Sequence, residues 1–290
     1  KNASTRRFGI ALAAASALLL SACSSSSETA ACSAPTAAET AASACAPESL
    51  QTLTTGKLAI ATGEPAYYPW VIDDAPDSGA GFESAVAYAV AAQLGYAAED
   101  VSWVRTTFDG AITPGAKDFD FNLQQFSITE ERKAAVDFSS PYYSAPQAIV
   151  SFAGSPIEGL TTIEELKGAK LGAGVGTTSL DAISTVFGSE PQAFNDNAAA
   201  VAALKNGQID GIVVDLPTAF YLSGVEVDGG IIVGQLPSTG DSGDFGLLLA
   251  KDSPITSCVS QAVDAIRASG ELDEITAKWL STEAGAPVLN

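Results

Sequence analysis

Segments of period-two hydrophobicity alternate with segments of helical spacing along this 290-residue chain, and no other feature limits its fold as tightly. Residues 57–62 alternate as a strand that puts Leu58 and Ile60 on one face. From Gly81, the apolar side chains Phe82, Val86, Ala89, Val90 and Leu94 recur at helical spacing, and Gly95 supplies a C-terminal stop. Residues 101–105 and 119–126 read as further strands. Thr162 and Glu165 have capping-box spacing, with Gly168 ending that short helix. Strands at 169–173 and 209–214 flank helices near 178–187 and 196–206. Strands and helices in alternation build sheets covered by helices on both faces, an α/β architecture. No repeat is visible in the sequence.

The amino-terminal section has a different character. Lys1, Arg6 and Arg7 precede an apolar, Ala/Leu-rich run at 8–20. A bilayer span takes about 20 apolar residues, so this run fits a secretory signal better than a transmembrane helix. Leu20-Ser21-Ala22-Cys23 closes it and resembles a bacterial lipobox. Residues 1–22 are therefore expected to be a lipoprotein signal peptide, with Cys23 as the lipid anchor to the membrane. Two or more acyl chains would anchor stably, at about 0.8 kcal/mol per buried methylene. Residues 23–50, rich in Ser and Ala, are expected to form a flexible tether, because they cannot bury enough apolar surface to offset chain entropy.

The formal charge is −20, and loss of residues 1–22 would remove three positive charges and leave −23. Phosphate binding needs a basic face, so no nucleic-acid partner is expected. Repulsion of this size favours a soluble monomer. Four Cys are present. With Cys23 assigned to lipid, Cys45–Cys258 is the favoured disulfide in an exported chain, while Cys32–Cys258, Cys32–Cys45 and a buried free thiol stay open. There is no His and no CxxC, so neither a metal site nor a cofactor is expected.

Thr129 is a good helix N-cap, and Glu130 and Glu131 follow it in the first turn, where the helix dipole favours acids. Arg132 then projects from the start of a helix that follows the carboxyl end of a strand, where open α/β sheets bind their ligands. A guanidinium there can grip a carboxylate through two parallel hydrogen bonds; a surface Arg paired with a neighbouring Glu is the plainer alternative. The surrounding sequence is Ser127-Ile-Thr-x-x-Arg132, followed by Asp137-Phe-Ser-x-Pro141-Tyr-Tyr143. It resembles the polar amino-acid family of type II solute-binding proteins, the capture subunits of ABC importers. The resemblance runs from about Gly56 to Leu280. It takes in Tyr67-x-Pro69-Trp70, Gly81-Phe82-Glu83, Gly176-Thr177-Thr178, Leu204-Lys205-Asn206-Gly207 and Gly270-Glu-Leu-Asp…Lys278-Trp279.

The resemblance implies a two-lobed type II periplasmic-binding-protein fold with two crossover hinge strands, near 143–148 and 235–241. Residues 51–143 and 241–290 would form a discontinuous first lobe, and 144–240 the second. Arg132, aided by Ser127, would anchor a ligand carboxylate. Asp215 would balance the ligand ammonium, with a plain helix cap as its alternative role. Thr177 and Thr178 open a helix after a strand, where free backbone N–H groups make an anion site. Tyr67 and Phe108 would sandwich the ligand side chain, with Glu64, Trp70, Gln124 and Gln125 completing the pocket. Trp103 and Trp279 are assigned to packing. Gln124 and Gln125 stand where relatives have small residues, so their amides are expected to shorten or polarise the pocket. The segment from Phe108 to Gly115 is one residue shorter than the family pattern.

The function this implies is extracytoplasmic capture of a polar amino acid by hinge closure, basic ligands slightly ahead, and delivery to an ABC permease. The protein would sit lipid-anchored in the periplasm or on a Gram-positive outer surface. It is not expected to be an enzyme. The alternatives are a cyclohexadienyl-dehydratase-like enzyme on the same fold, with Glu64 as a candidate acid, and a ligand-sensing subunit.

Overall fold

The computed structural model describes residues 44–237, 243–280 and 286–290. The expected signal peptide, Cys23, Cys32 and most of the expected tether lie outside the described residues. The first elements are β1 (Leu58–Gly63), α1 (Phe82–Gln93), β2 (Val101–Thr106), α2 (Phe108–Ile112), β3 (Phe121–Asn122), α3 (Glu130–Lys133) and β4 (Val136–Ser144). Next come β5 (Gln147–Phe152), α4 (Ile163–Leu166), β6 (Leu171–Gly174), α5 (Thr178–Phe187), β7 (Gln192–Phe194) and α6 (Asn197–Lys205). They are followed by β8 (Gly211–Asp215), α7 (Leu216–Tyr221), a π turn at Leu222–Glu226 and β9 (Gly230–Gln235). Then β10 (Asp244–Ala250) leads into α8 (Thr256–Ala268) and α9 (Glu271–Leu280).

These strands form two five-stranded sheets, ordered β2-β1-β3-β10-β4 and β7-β6-β8-β5-β9. In the first, β1 runs parallel to β2 and β3, while β10 runs antiparallel to β3 and β4. In the second, β6 runs parallel to β7 and β8, while β5 runs antiparallel to β8 and β9. Each sheet therefore has the same plan, with one strand, β10 in the first and β5 in the second, inserted antiparallel next to the edge. The duplication exists in the backbone and not in any repeated sequence.

Local chemistry accounts for the helix starts. Thr162 and Glu165 close a reciprocal capping box on α4, and the Thr177 hydroxyl accepts from the Leu180 amide at the start of α5. Gly81, at φ 107°, caps α1 where a Cβ would lie 2.4 Å from the Trp70 carbonyl oxygen. That close approach lets the Phe82 and Glu83 amides donate to the Pro69 and Trp70 carbonyls, both at 2.9 Å. One core joins Leu58, Ile60, Phe82 and Val86 to Val259, Val263 and Ile266 of α8. The second sheet buries Val150, Ile212 and Leu204 on one face and Ile149, Ile183 and Val213 on the other.

Three features differ from the sequence reading. The strand expected at 119–126 pairs only over Phe121–Asn122, because Gln125 takes a left-handed backbone (φ 51°) that turns the chain out of the ladder. Residues assigned to the tether up to 50 are fixed at their end: Leu50 is buried in the first core, and Cys45 is bonded to Cys258. The stretch 241–290, assigned whole to the first lobe, divides. Residues 244–280 pack with the first sheet, but Val288 bridges to Gln235 and Leu289 enters the core of the second.

The Cys45–Cys258 disulfide spans 213 residues, with its Cα atoms 5.4 Å apart. A bridge closing so long a loop constrains the unfolded chain strongly, commonly by about 2–4 kcal/mol. Replacing both cysteines by Ala should lower the Tm by roughly 2–4 °C for each kcal/mol lost. Equal melting curves for the two proteins would show that the bridge carries no stability.

Candidate ligand cleft

A cavity of about 200 Å³ lies between the two sheets. Its walls are the segments that leave the carboxyl ends of β1, β2 and β3 on one side and of β6, β7 and β8 on the other, the place where open α/β sheets bind ligands. Glu64, Tyr67, Trp70, Phe108, Gln124, Gln125, Ser127, Arg132, Thr177, Thr178 and Asp215 all line it.

Arg132 is the centre of the first wall. The Thr129 hydroxyl accepts from the Arg132 amide and fixes the start of α3. The side chain is buried, 8 % exposed. Its guanidinium donates to the Ser127 carbonyl at 2.8 Å and, across the cleft, to the Gly176 carbonyl at 2.9 Å. It also lies 5.3 Å from the centre of the Phe108 ring, in cation–π range. No carboxylate is within ion-pair distance of it among the described residues. Burial lowers its pKa, while Asp181, Asp215 and Glu131 pull the other way. The plain surface Arg–Glu pair is therefore not what the fold builds.

On the second wall, Thr177 and Thr178 divide their work. The Thr177 hydroxyl is committed locally, donating to the Gly174 carbonyl while it caps α5. The Thr178 hydroxyl faces the other body, 3.2 Å from the Ser127 hydroxyl, and accepts from the Gln147 side chain at 3.0 Å. Asp215 occupies the cap position of α7 but makes no capping hydrogen bond. Burial pushes its carboxyl up to about 7; Arg132 opposes the shift and Glu83 reinforces it.

The aromatic residues differ among themselves. Tyr67 and Phe108 are both half-buried at the cavity. Burial, with Asp196 close by, pushes the Tyr67 hydroxyl up to about 12, while the Ala198 backbone opposes the shift. Trp70 is mainly a core residue. Its indole packs edge-on against Phe82, Tyr143 and Phe245 at 5.8–5.9 Å, and its N–H crosses to the Thr218 hydroxyl at 2.9 Å. Glu64 is exposed at the rim. Trp103 and Trp279 pack against the first core.

Gln125 does not narrow the cavity as a free amide, since its side chain and its backbone N–H both donate to Glu83. The Gln124 amide accepts from Thr106 at 3.5 Å. Asn122 donates to the Thr106 hydroxyl at 3.0 Å between strands. The sequence reading passed over Glu83, Asp196 and Thr218 as site residues, though all three line the cavity. Glu83 was visible as the one acid in the apolar first turn of α1, and Asp196 as a good cap before 197–205.

Thr218→Val would keep the shape of the second wall but leave the Trp70 N–H unpaired, which costs roughly 1–3 kcal/mol for a buried donor. Small-angle scattering of the ligand-free variant should give a larger radius of gyration than wild type. Equal radii would mean that this contact does not hold the bodies together.

The chain has relatives in both sequence and structure. The chain is 29% identical over 184 residues to a probable histidine-binding protein of Campylobacter jejuni, covering 62% of this chain and 70% of that one. It is 30% identical to the L-cystine-binding protein TcyJ of Escherichia coli K12 over 207 residues, 70% of this chain and 75% of that one. An ancestral arginine-binding protein solved with arginine superposes with a TM-score of 0.66 at 30% identity, over 78% of this chain and 98% of that one. The fold is that of the type II periplasmic binding proteins. A model of the bacterial extracellular solute-binding proteins, family 3, matches residues 59–282. With that match over most of its length, the chain belongs to the bacterial extracellular solute-binding proteins, family 3.

Proposed function

We propose that the protein captures a polar amino acid outside the cytoplasmic membrane by closure of its two bodies, and hands it to an ABC importer. The observation that carries this reading is the placement of Arg132 and Asp215. A buried guanidinium from one body and a half-buried carboxylate from the other face a single small cavity. An amino acid offers the two opposite charges in matching order, and buried charges are costly unless paired. Thr178 and Ser127 add hydroxyls beside Arg132, while Tyr67 and Phe108 wall the space for a side chain. Glu64 at the rim favours a basic ligand, and relatives bound to arginine or named for histidine support that class. Cystine and glutamine, named for other relatives, stay within the same reading.

Closure follows from differential contact, since a ligand held by both walls stabilises only the closed arrangement. The mature protein acts as a monomer tethered through lipid on Cys23, a role that rests on the 20–23 lipobox pattern. A dehydratase on this scaffold is the less supported reading. The named relatives are binding proteins, and the neighbour related to cyclohexadienyl dehydratase is described as an amino acid-binding precursor of it.

Calorimetric titration against the common L-amino acids, ornithine and cystine tests the proposal. One or a few ligands should bind to the wild type, and Arg132→Ala should reduce affinity by at least about a hundredfold, the loss of a charge-assisted bidentate contact, while its circular dichroism stays unchanged. Full affinity in the variant, or turnover of prephenate to an aromatic keto-acid, would contradict the reading.

A further inference from the structure

Glu83 is a fully buried acid whose hydrogen bonds all come from neutral donors. Its carboxylate accepts from the Gln125 amide at 2.7 Å, from the Gln125 side chain and from the Tyr142 hydroxyl. No cation reaches it among the described residues, yet it lines the same cavity as Asp215. The two acids come from opposite bodies, Glu83 from α1 and Asp215 from the end of β8. The groups facing them are few. Tyr142 of β4 feels both charges, Gln125 and Trp70 present neutral side chains, and Arg132 of α3 acts on Asp215. With every group ionised, Glu83, Asp215 and Arg132 carry a net charge of −1, and two carboxylates lining one small cavity resist ionising together.

We infer that Glu83 is a positioning residue for the ligand ammonium, forming with Asp215 a carboxylate pair that holds one proton in the ligand-free protein and releases it to solvent when an amino group enters. This rests on the capture reading above and names how its ammonium end works. The charges pair locally: the incoming ammonium supplies the positive charge that the proton had supplied beside the two acids, the ligand carboxylate pairs with Arg132, and the proton passes to buffer. Burial pushes both carboxyls up to about 7, which sets the window near neutral pH. A raised carboxyl favours the folded, ligand-free protein at low pH and loses that contribution as pH rises through about 7. Ligand binding should therefore strengthen from pH 5.5 toward 8. A purely structural Glu83, holding the Gln125 turn, would leave the proton release on ligand binding unchanged when it is replaced by Gln.

The test is titration calorimetry near pH 6.5 with L-arginine, L-histidine, L-glutamine and L-cystine, in buffers of different ionisation enthalpy. For wild type, the binding enthalpy should vary with buffer and report release of up to one proton per ligand. Glu83→Gln should bind about tenfold more weakly with no buffer dependence, and Glu83→Asp should restore the dependence. Tyr142→Phe, which removes a bond that lowers the Glu83 pKa, should move proton release to higher pH. Buffer-independent enthalpies in wild type, or the same proton release in Glu83→Gln, would overturn the role of Glu83 and leave capture standing. Absence of binding by all four probes would remove the capture reading and this role together.

Discussion

The burial of one guanidinium organises this protein. A charge drawn out of water is tolerated only where fixed dipoles replace its solvent, and Arg132 takes those dipoles from both bodies, Ser127 on its own side and Gly176 on the other. The cap on Thr129 aims the side chain, and Phe108 covers one face of it. Because one partner carbonyl comes from each body, the position of this charge and the approach of the two cleft walls are linked.

Around that charge the contacts between bodies are individually small. The Trp70–Thr218 bond, the Ser127–Thr178 hydroxyl pair and the Tyr68–Tyr221 ring contact at 5.2 Å are each ordinary in size, at about 1 kcal/mol net for a typical hydrogen bond. Contacts this small leave an arrangement of the two bodies that a ligand touching both would stabilise by its differential affinity. The chain passes from the first sheet to the second between β4 and β5, and each sheet keeps its own set of strands. The C-terminal residues strap back to the second body through Gln235 and Leu289.

Much of this was legible in the chain. The α5 helix begins where Thr177 puts it, and the Thr129 cap, the Thr162 box and the Gly95 stop act as their residue types require. Local chemistry has a local signature. What escaped depends on partners distant in sequence. Gln125 leaves the strand because Glu83, 42 residues earlier, accepts both of its donors. Trp70 reads as a cleft aromatic, but it is held by Phe82, Tyr143 and Phe245, and only its N–H reaches the other body. The duplicated sheet plan likewise leaves no trace in side chains, since topology is set by which strands meet rather than by what they spell.

A crystal structure with an amino acid bound, chosen by titration, tests the central claim most directly. The carboxylate should lie against Arg132 and the ammonium against Asp215, with the ligand in contact with both sheets. An amino acid bound to one body alone, or turned so that its ammonium faces Arg132, would contradict the account.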